Sequence, residues 1–548
     1  MILIRVRLVM NSFGKKYLRN IVSLLSVLVL TLLILFYKSF GIYRSILIGA
    51  EIVTFFLSIS FISNQFLRAF VWTAYCLIIA AQMSSIINTG GYIIPLTLSN
   101  LSEFKAVGHE VLTQVLFILL LYVLASIPFY FVKRTSAFKL SLLSFVIFIF
   151  MAGALHQFFN TAHEYYKQVT YKPNYNYPEV AKKFLKFNVY NESDMSLYFP
   201  NGKPKNIIVI FTEGMSSKVI DLENNLGLKI TPNMDSLYNE GIVFENYFNH
   251  TAATFRGLRG QLSSAYQYRD GVDSKGEGFF QINSEKVSDT YNHRLISLPE
   301  ILNDNGFNTY FIASTENHSN LNTLLRSMPF KKVYGMEDFD WHINDRMSDK
   351  KIFSALRTLV AEQTSKPFFI GMYPSGTHHG MDSPDQKYHN GSNSFYNKFY
   401  NYDFQLGDFI TWFKKSHFYD NTLLIITADH STFPVPEFKQ SFNTSSDYFV
   451  DTIPLIMIGA GIKPMKLDAK GNNSLSIAPT ILQILNIDNA PNYFLGCSLF
   501  DLKCTSKFSH ISVIGDSYYR INLKTDANYS AEQIDSVPEV VDFYNVSG

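Results

Sequence analysis

Charged and imidazole side chains follow several apolar runs in the second half of this chain. Glu213 comes directly after "NIIVIFT", and Asp429 and His430 come directly after "TLLIITA". A third run, "PFFIGMY", leads into His378 and His379. Two carboxylates and an imidazole suit a divalent ion such as Mn²⁺ or Zn²⁺ better than Ca²⁺, which prefers oxygen ligands alone. Each group alone is typical of a polar turn, but together they predict a metal-binding site.

The segment "FNHTAATFRGLRGQLSSAY", residues 248–266, could supply a nucleophile to this site. A helix is predicted to begin near Thr254, and Arg256 and Arg259 follow within it. A hydroxyl at a helix N-terminus with an arginine beside it is well placed to receive a phosphoryl or sulfuryl group. Thr251 competes with Thr254 for this role, and the spacing to the helix favours Thr254. The alternative is a threonine that only caps the helix.

These side chains need a scaffold that brings distant segments together. From residue 206 onward the predicted strands are "NIIVIFT", "GIVFENY", "NTYFIAS", "PFFIGMY", "NTLLIITA" and "PLIMIGA". Between them, "TPNMDSLYNEG", with Thr231 as its N-cap, and "LISLPEILNDNG" predict helices that end at a glycine. This alternation predicts an α/β domain with a mostly parallel central sheet, whose strand ends meet at one edge.

The composition divides the 548 residues into unlike parts. Residues 1–160 are dominated by apolar runs, residues 161–205 are aromatic, polar and turn-rich, and residues 206–548 have the mixed composition of a soluble domain. We therefore predict a transmembrane domain, a juxtamembrane connector and a catalytic domain, in that order. The net charge of +2 gives no support for a nucleic-acid partner, which needs a concentrated basic face.

Five apolar runs are long enough to cross a bilayer, which takes about 20 residues in a helix. They lie near residues 20–37, 45–63, 69–88, 112–132 and 140–158. Basic residues concentrate before the first run and between the fourth and fifth runs, which predicts a cytoplasmic N-terminus. Five spans then place everything after about residue 160 outside the cytoplasm.

The three cysteines agree with this topology. Cys76 lies in a predicted span, whereas Cys497 and Cys504 lie in the outer part of the chain. Outside the cytoplasm this pair could form a disulfide or remain two plain thiols.

The order of these segments resembles that of a known superfamily. Glu213, then "TPNMDSLYNEGIVFENYFNHTAAT", "THHG", "YDNTLLIITADH" and "NNSLSIAPTILQILNI" follow one another between about residues 206 and 500. This arrangement is similar to the sulfatase branch of the alkaline phosphatase superfamily. With five preceding spans, the chain most resembles lipoteichoic acid synthases, osmoregulated-glucan phosphoglycerol transferases and lipid A-type phosphoethanolamine transferases. The resemblance implies a multi-pass protein of the bacterial cell (inner) membrane.

The resemblance also implies roles for particular residues. In that group the metal is held by a glutamate, an aspartate–histidine pair and the nucleophilic threonine, here Glu213, Asp429, His430 and Thr254. A substrate histidine is implied at His378 or His379, and the glycine after His379 favours His379. His318, in "ASTENHSN", resembles the region that contacts the headgroup, and Arg256 would balance charge on the phosphoryl oxygens.

The sequence departs from true sulfatases at the nucleophile. Those enzymes carry Cys/Ser-x-Pro-x-Arg, whose first residue is oxidised to formylglycine, whereas residues 254–258 here read "TFRGL". This favours transfer of a phospholipid headgroup, through a phospho-threonine, onto an extracytoplasmic glycan or polymer. Two outer cysteines and "DHST", where phosphoethanolamine members are cysteine-rich and have "DHGES", favour phosphoglycerol over phosphoethanolamine.

Two other functions remain open at this stage. A sulfatase-like metal hydrolase, acting on phosphodiesters or sulfuric esters, would share the covalent step and pass the group to water. A catalytically silent membrane protein would keep the fold for binding or assembly. The silent protein is disfavoured because it would have no reason to retain all four metal-site residues.

Overall fold

The computed structural model describes most of the chain from residue 42 onward. The described residues are 42–59, 62–89, 91–93, 116–123, 138–170, 177–191, 194–224, 226–267, 287–288, 291, 294–342, 346–444, 449–515, 517–523 and 529–547. The chain divides into two compact units, Met1–Lys167 and Gln168–Gly548. This division falls close to residue 160, where the composition of the sequence changes.

The first unit is helical. Its helices are α1 (Ile42–Ile59), α2 (Gln65–Thr89), α3 (Phe138–Ile149) and α4 (Ala154–Thr170). Among the described residues, one helical stretch, Gln65–Ile87, is long and apolar enough to cross a membrane, and the pair Ser141–Ile149 and Ala154–His163, bent by 49°, could form a second crossing. The predicted span near 20–37 lies outside the described residues, as does most of the span near 112–132. The five-span topology therefore stays a prediction.

One buried carboxylate holds the bend between α3 and α4. Glu51 of α1 accepts hydrogen bonds from the backbone N–H groups of Ala154, at 2.6 Å, and Leu155, at 2.8 Å. These are two of the N–H groups that the start of a helix leaves without partners. A Cβ on Gly153 would lie 2.2 Å from a Glu51 carboxylate oxygen, so the bend needs glycine at this position.

The second unit is built around a mostly parallel sheet. Its strands are β1 (Lys186–Asn188), β2 (Asn206–Thr212), β3 (Ile242–Glu245), β4 (Asn308–Ala313), β5 (Lys332–Tyr334), β6 (Phe368–Tyr373), β7 (Thr422–Ala428), β8 (Leu455–Gly459), β9 (Met465–Asp468), β10 (Asn489–Asn492), β11 (Ile511–Ile514), β12 (Ser517–Leu523) and β13 (Tyr529–Ile534). Eight of them form one sheet in the order β5-β4-β6-β2-β7-β8-β3-β9. Within it, only β8 runs against the others.

The α/β architecture and the six predicted strands are confirmed. Each predicted strand corresponds to an observed one, with differences of one or two residues at the ends. Every residue of β2, β6 and β7 is buried. Central strands of a parallel sheet are covered on both faces, and this is why their sequences are continuous apolar runs rather than alternating ones.

Helices connect and cover these strands. They are α5 (Tyr177–Phe184), α6 (Asp221–Asn224), α7 (Pro232–Glu240), α8 (Thr254–Ser263), α9 (Leu298–Asp304), α10 (Asn320–Arg326), α11 (Asp349–Ala361), α12 (Ser394–Lys415), α13 (Pro436–Ser441), α14 (Ile477–Ile484) and α15 (Pro538–Ser547). The long helix α12 packs against both α7 and α11. The two helices predicted between the strands correspond to α7 and α9, and the helix predicted to begin near Thr254 corresponds to α8.

The start of α7 is capped differently from the sequence prediction. Thr231 stands at the N-cap position, but its side chain makes no cap hydrogen bond. Asp403 of α12 caps the helix instead, because its carboxylate accepts from the backbone N–H groups of Asn233, at 3.0 Å, and Met234, at 2.8 Å. A cap supplied from another helix leaves no local signal in the sequence of α7.

Two smaller sheets complete this unit. β1 pairs with β10, and β11, β12 and β13 form an antiparallel sheet near the end of the chain. Cys497 and Cys504 are joined by a disulfide, which decides between the two alternatives that the sequence left open. Cys76 of the first unit is a buried free thiol.

We predict that Asp403→Ala lowers the free energy of unfolding by about 3 kcal/mol, since each buried donor left without an acceptor costs about 1–3 kcal/mol. Thermal unfolding of the detergent-purified protein would measure this loss. Asp408→Ala, an exposed position on the same helix, is the control and should change stability by less than about 0.5 kcal/mol. Equal effects of the two substitutions would contradict the capping role.

Candidate metal centre

The group formed by Glu213, Asp429 and His430 lies where two neighbouring strands end. β2 and β7 pair in parallel with Thr212 opposite Ala428, so the next residue of each strand emerges at the same level. Glu213 and Asp429 are those next residues, and all three side chains of the group are buried. Their potential ligand atoms lie within 4.8 Å of one another. The structure thus brings together the three side chains that the sequence singled out first.

Backbone hydrogen bonds orient His430 and Asp429. Nδ1 of His430 lies 2.7 Å from the carbonyl oxygen of Ser431, which leaves Nε2 facing the carboxylates, 3.4 Å from Oε1 of Glu213 and 3.6 Å from Oδ2 of Asp429. Oδ1 of Asp429 accepts from the backbone N–H groups of Gly214 and His430, both at 2.8 Å. One face of each side chain is therefore held by the backbone, and the other faces the centre of the group.

The second oxygen of Asp429 fits a metal ligand. Oδ2 is buried and has no hydrogen-bond partner among the residues that the structure describes. A buried carboxylate oxygen without a partner is costly, and coordination of a cation would satisfy it. Two carboxylates and an imidazole nitrogen are also donors that divalent ions such as Mn²⁺ or Zn²⁺ accept. The residues present therefore fit a divalent metal.

The charges of the group act strongly on one another. Burial raises the pKa of Asp429 to about 7, and the negative charge of Glu213 adds to the rise. Burial lowers the pKa of His430, but the two carboxylates outweigh that effect and raise it to about 9. Burial would raise the pKa of Glu213 as well, yet its hydrogen bond to His430 and the charge of His430 hold that pKa below its usual range. The two carboxylates together require a positive charge between them.

Thr254 contributes its hydroxyl to the same group. It is the first residue of α8, and Oγ1 donates a hydrogen bond to Oε2 of Glu213 at 2.9 Å. The hydroxyl of Thr251 instead donates to the carbonyl oxygen of Val513 at 2.8 Å. Of the two threonines that compete for the nucleophile role, Thr254 is the one whose hydroxyl lies at the carboxylate group.

The backbone before Thr254 has an unusual conformation. Ala253 has φ +72° and ψ 141°, a region that residues with a side chain rarely adopt. Gly257, one turn into α8, would place a Cβ 2.4 Å from the backbone oxygen of Asp429. Helix α8 therefore packs closely against the end of β7. The positive φ of Ala253 turns the chain so that Thr254 begins this helix beside Glu213. Such strain persists where the surrounding structure imposes it.

The two predicted substrate histidines lie at the side of this group. Burial lowers the pKa of His378, the charge of Arg346 lowers it further, and Glu213 opposes both effects. The ring of His379 packs 5.6 Å from the ring of Phe433, which itself stands edge-on to His430 at 5.9 Å. The charge of Glu213 therefore acts on His378, and Phe433 packs against the rings of both His379 and His430.

The surroundings of Arg256 and of His318 differ. Arg256 is buried, and its Nη1 donates to the carbonyl oxygen of Gly515, between β11 and β12, at 3.2 Å. His318 is exposed, in the turn between β4 and α10. Their roles in binding the substrate stay predictions.

Two residues at the site were not found from the sequence. Tyr373, the last residue of β6, donates a hydrogen bond to Oε2 of Glu213 and lies 3.4 Å from Oγ1 of Thr254. Arg346 acts electrostatically on both Tyr373 and His378. Tyr373 could have been predicted, because it is the last residue of the apolar run "PFFIGMY" and other site residues also stand where apolar runs end. Arg346 follows no such pattern.

A family profile described as Sulfatase matches residues 205–487. The chain belongs to the sulfatase family. Among related sequences, this sulfatase-family chain is 24% identical to lipoteichoic acid synthase 2 of Bacillus subtilis (strain 168) over 319 residues, covering 54% of the chain and 46% of that protein. It is 24% identical to lipoteichoic acid synthase 1 of the same strain over 328 residues, covering 55% and 49%. The chain spans about half the length of these relatives.

Solved structures of the alkaline phosphatase superfamily are also similar to this sulfatase-family chain. A member from Vibrio parahaemolyticus is 17% identical with a TM-score of 0.49, covering 70% of this chain and 94% of the other. The lipoteichoic acid synthase LtaP from Listeria monocytogenes is 18% identical with a TM-score of 0.49, covering 67% and 94%.

We predict that excess Mn²⁺ raises the thermal stability of the protein, since a ligand at 100 times its Kd stabilises the folded state by about 2.7 kcal/mol. A chelator should reverse this gain. Glu213→Gln should reduce the gain, whereas Glu437→Gln, at an exposed glutamate of α13, should retain it. An equal gain in both variants would contradict the metal site.

We also predict that Ala253→Gly raises the free energy of unfolding by about 1 kcal/mol. The strain released is about 1–3 kcal/mol, and the added freedom of glycine in the unfolded chain removes about 0.5–1 kcal/mol. Ala252→Gly, next to it at a buried position with negative φ, should lower stability by about 1 kcal/mol. Chemical denaturation would compare the two variants, and losses of equal size would argue against strain at Ala253.

Proposed function

We propose that this protein is a membrane-anchored, metal-dependent phosphotransferase. It would move a phospholipid headgroup, phosphoglycerol in preference to phosphoethanolamine, onto an extracytoplasmic glycan or polymer. The observation that carries the proposal is the hydrogen bond of 2.9 Å from the Thr254 hydroxyl, at a helix N-terminus, to Glu213 of the buried carboxylate group. Membership of the sulfatase family and the similarity to proteins named lipoteichoic acid synthases support it.

The proposed arrangement in the cell follows from the sequence. Five spans near residues 20–37, 45–63, 69–88, 112–132 and 140–158 would anchor the chain in the bacterial cell membrane, with the N-terminus in the cytoplasm. The catalytic domain from about residue 206 would then face the outside, joined by the connector of residues 161–205. The helical stretch Gln65–Ile87 supports one of these spans. A phospholipid donor would be within reach at the outer surface.

Four residues would hold the metal. We assign this role to Glu213, Thr254, Asp429 and His430, with Mn²⁺ or Zn²⁺ as the ion. When bound, the ion would lower the pKa of the coordinated hydroxyl and neutralise charge on the phosphoryl oxygens. Nε2 of His430 and the partnerless Oδ2 of Asp429 both face the centre of the group, as ligation requires.

The first half of the reaction would form a phospho-threonine. Oγ1 of Thr254 attacks the phosphorus of the donor headgroup, and the bond from phosphorus to the diacylglycerol oxygen breaks. The proton of the attacking hydroxyl passes to Glu213, 2.9 Å away, and from there to solvent. A histidine protonates the diacylglycerol oxygen as it leaves. We assign this step to His379, which the following glycine favours, and His378 is the alternative.

The second half would release the headgroup to the acceptor. A hydroxyl of the glycan or polymer attacks the phospho-threonine, and the same histidine accepts its proton. The bond to Thr254 breaks, and Thr254 takes a proton back from solvent. The phosphoryl oxygens need positive charge in both halves. We assign this role to Arg256, two residues after Thr254 in α8, and Arg346, whose charge acts on both Tyr373 and His378, is a second candidate.

We predict that the full-length protein, purified in detergent with Mn²⁺, releases diacylglycerol from phosphatidylglycerol faster than from phosphatidylethanolamine. Thr254→Ala should lower the rate at least about 1000-fold, because the nucleophile itself is lost. The assay would follow fluorescent diacylglycerol, and mass spectrometry would identify a phosphorylated peptide containing Thr254.

Thr251→Ala is the matched control, since Thr251 carries the same side chain three residues away and bonds to Val513 instead. It should keep turnover within about tenfold of the wild type, since its hydroxyl is at most a structural donor. Release from phosphatidylethanolamine alone would reassign the headgroup, and transfer to water in the presence of acceptors would indicate a hydrolase. Release from neither lipid by metal-loaded protein would contradict the proposed donor.

A further inference from the structure

Tyr373 occupies a position between the two residues that the proposed chemistry needs most. It ends β6, whose neighbour β2 leads into Glu213, and its side chain is only 3% exposed. Its hydroxyl donates a hydrogen bond to Oε2 of Glu213 and lies 3.4 Å from Oγ1 of Thr254. One phenol group therefore contacts both a proposed metal ligand and the proposed nucleophile.

The two oxygens of Glu213 have different surroundings. Oε1 lies 3.4 Å from Nε2 of His430, on the side where the metal would bind. Oε2 accepts from Thr254 and from Tyr373, which are its hydrogen-bond donors among the described residues. The side chain can therefore present Oε1 to a metal only while Oε2 is held in place on the other side.

Of the two donors to Oε2, only Tyr373 would keep its hydroxyl hydrogen throughout the proposed reaction. In the proposed reaction Thr254 loses its O–H when it carries the phosphoryl group, so it can no longer donate to Glu213. Tyr373 takes no part in bond making and keeps its hydroxyl throughout. In the phosphorylated state it would be the donor that still holds Oε2.

The backbone of Tyr373 is fixed on both sides. β6 pairs in parallel with β4, where Ala313 lies opposite Tyr373, and the backbone N–H of Ser314 donates to the Tyr373 carbonyl at 3.3 Å. On the other side, the backbone N–H of Glu213 donates to the carbonyl of Pro374 at 3.3 Å. A group held on a central strand of a sheet positions its partner more firmly than one on a loop.

We infer that Tyr373 is a positioning residue for the metal site: its hydroxyl holds Oε2 of Glu213 so that Oε1 faces the metal, both before and after Thr254 is phosphorylated. The inference rests on the proposed metal site and goes beyond it by assigning a residue outside the ligand set. Hydrogen bonds to a ligating carboxylate typically change metal affinity about 10–100-fold when removed.

The test is a titration of metal-free, full-length protein with Mn²⁺, followed by calorimetry. Tyr373→Phe should weaken Mn²⁺ binding about 10–100-fold. Tyr402→Phe is the matched control: Tyr402 is also buried, and its hydroxyl accepts from Thr212, one residue before Glu213, at 2.6 Å. The control variant should bind Mn²⁺ within about threefold of the wild type, because its hydroxyl touches no ligand.

A second pair of variants tests the dependence on Thr254. In the Thr254→Ala background, which also removes one proposed ligand, Tyr373 is the donor that remains on Oε2 among the described residues. Adding Tyr373→Phe there should weaken Mn²⁺ binding by a larger factor than it does with Thr254 present. Equal factors in the two backgrounds would mean that the two donors act independently, and would overturn this part of the inference.

The outcomes separate this inference from the proposed function. Unchanged Mn²⁺ affinity in Tyr373→Phe would overturn the positioning role, whatever lipid the enzyme uses. Unfolding of metal-free Tyr373→Phe, while Tyr402→Phe stays folded by circular dichroism, would also overturn it, because the hydroxyl would then serve the fold. Failure of the lipid assay with the affinity difference intact would contradict only the donor. No Mn²⁺ binding by the wild type would overturn both.

Discussion

Glu213 and Asp429 come together because β2 and β7 pair in parallel with Thr212 opposite Ala428. A slip of one residue between these strands would turn one of the two side chains to the opposite face of the sheet. The register itself is enforced by burial, since all residues of both strands lie in the core. The hydrophobic core therefore fixes the register of the two strands, and this register sets the spacing of the two carboxylates.

The buried carboxylates of Glu213 and Asp429 lie close together, and each needs hydrogen-bond donors or positive charge around it. Isolated buried charges are too costly to persist without partners. Backbone N–H groups hold one oxygen of Asp429, and Tyr373 and Thr254 hold one oxygen of Glu213. What remains on each carboxylate is one oxygen directed toward Nε2 of His430. That arrangement fits one cation, and the hydroxyl of Thr254, the proposed nucleophile, lies beside it on Glu213.

The sequence allowed the central sheet and the three carboxylate and imidazole residues to be predicted, because both depend on local patterns. An apolar run followed at once by Glu213 or by Asp429 can be recognised without knowing what lies across the sheet. Other features depend on contacts between distant segments. The cap that Asp403 provides to α7, and the hydrogen bond of Tyr373 to Glu213, join residues 170 and 160 positions apart. Such distant partners cannot be predicted from the local sequence pattern.

The last part of the chain also contacts distant segments, in this case the loop before Thr254, the proposed nucleophile. Residues 505–548 add nothing to the family resemblance, and the family profile ends at residue 487. Yet Val513 of β11 accepts the hydroxyl of Thr251, and the hydroxyl of Ser512 donates to the carbonyl of Asn249 at 2.6 Å.

These contacts hold the loop before Thr254 from outside the matched region. Gly515, in the turn after β11, also accepts from Arg256 on the far side of the nucleophile. The unusual backbone of Ala253 lies between these anchors, and a conformation of that kind needs support on both sides. The small C-terminal sheet is therefore part of what keeps the Thr254 hydroxyl on Glu213, although nothing in its own sequence indicates chemistry.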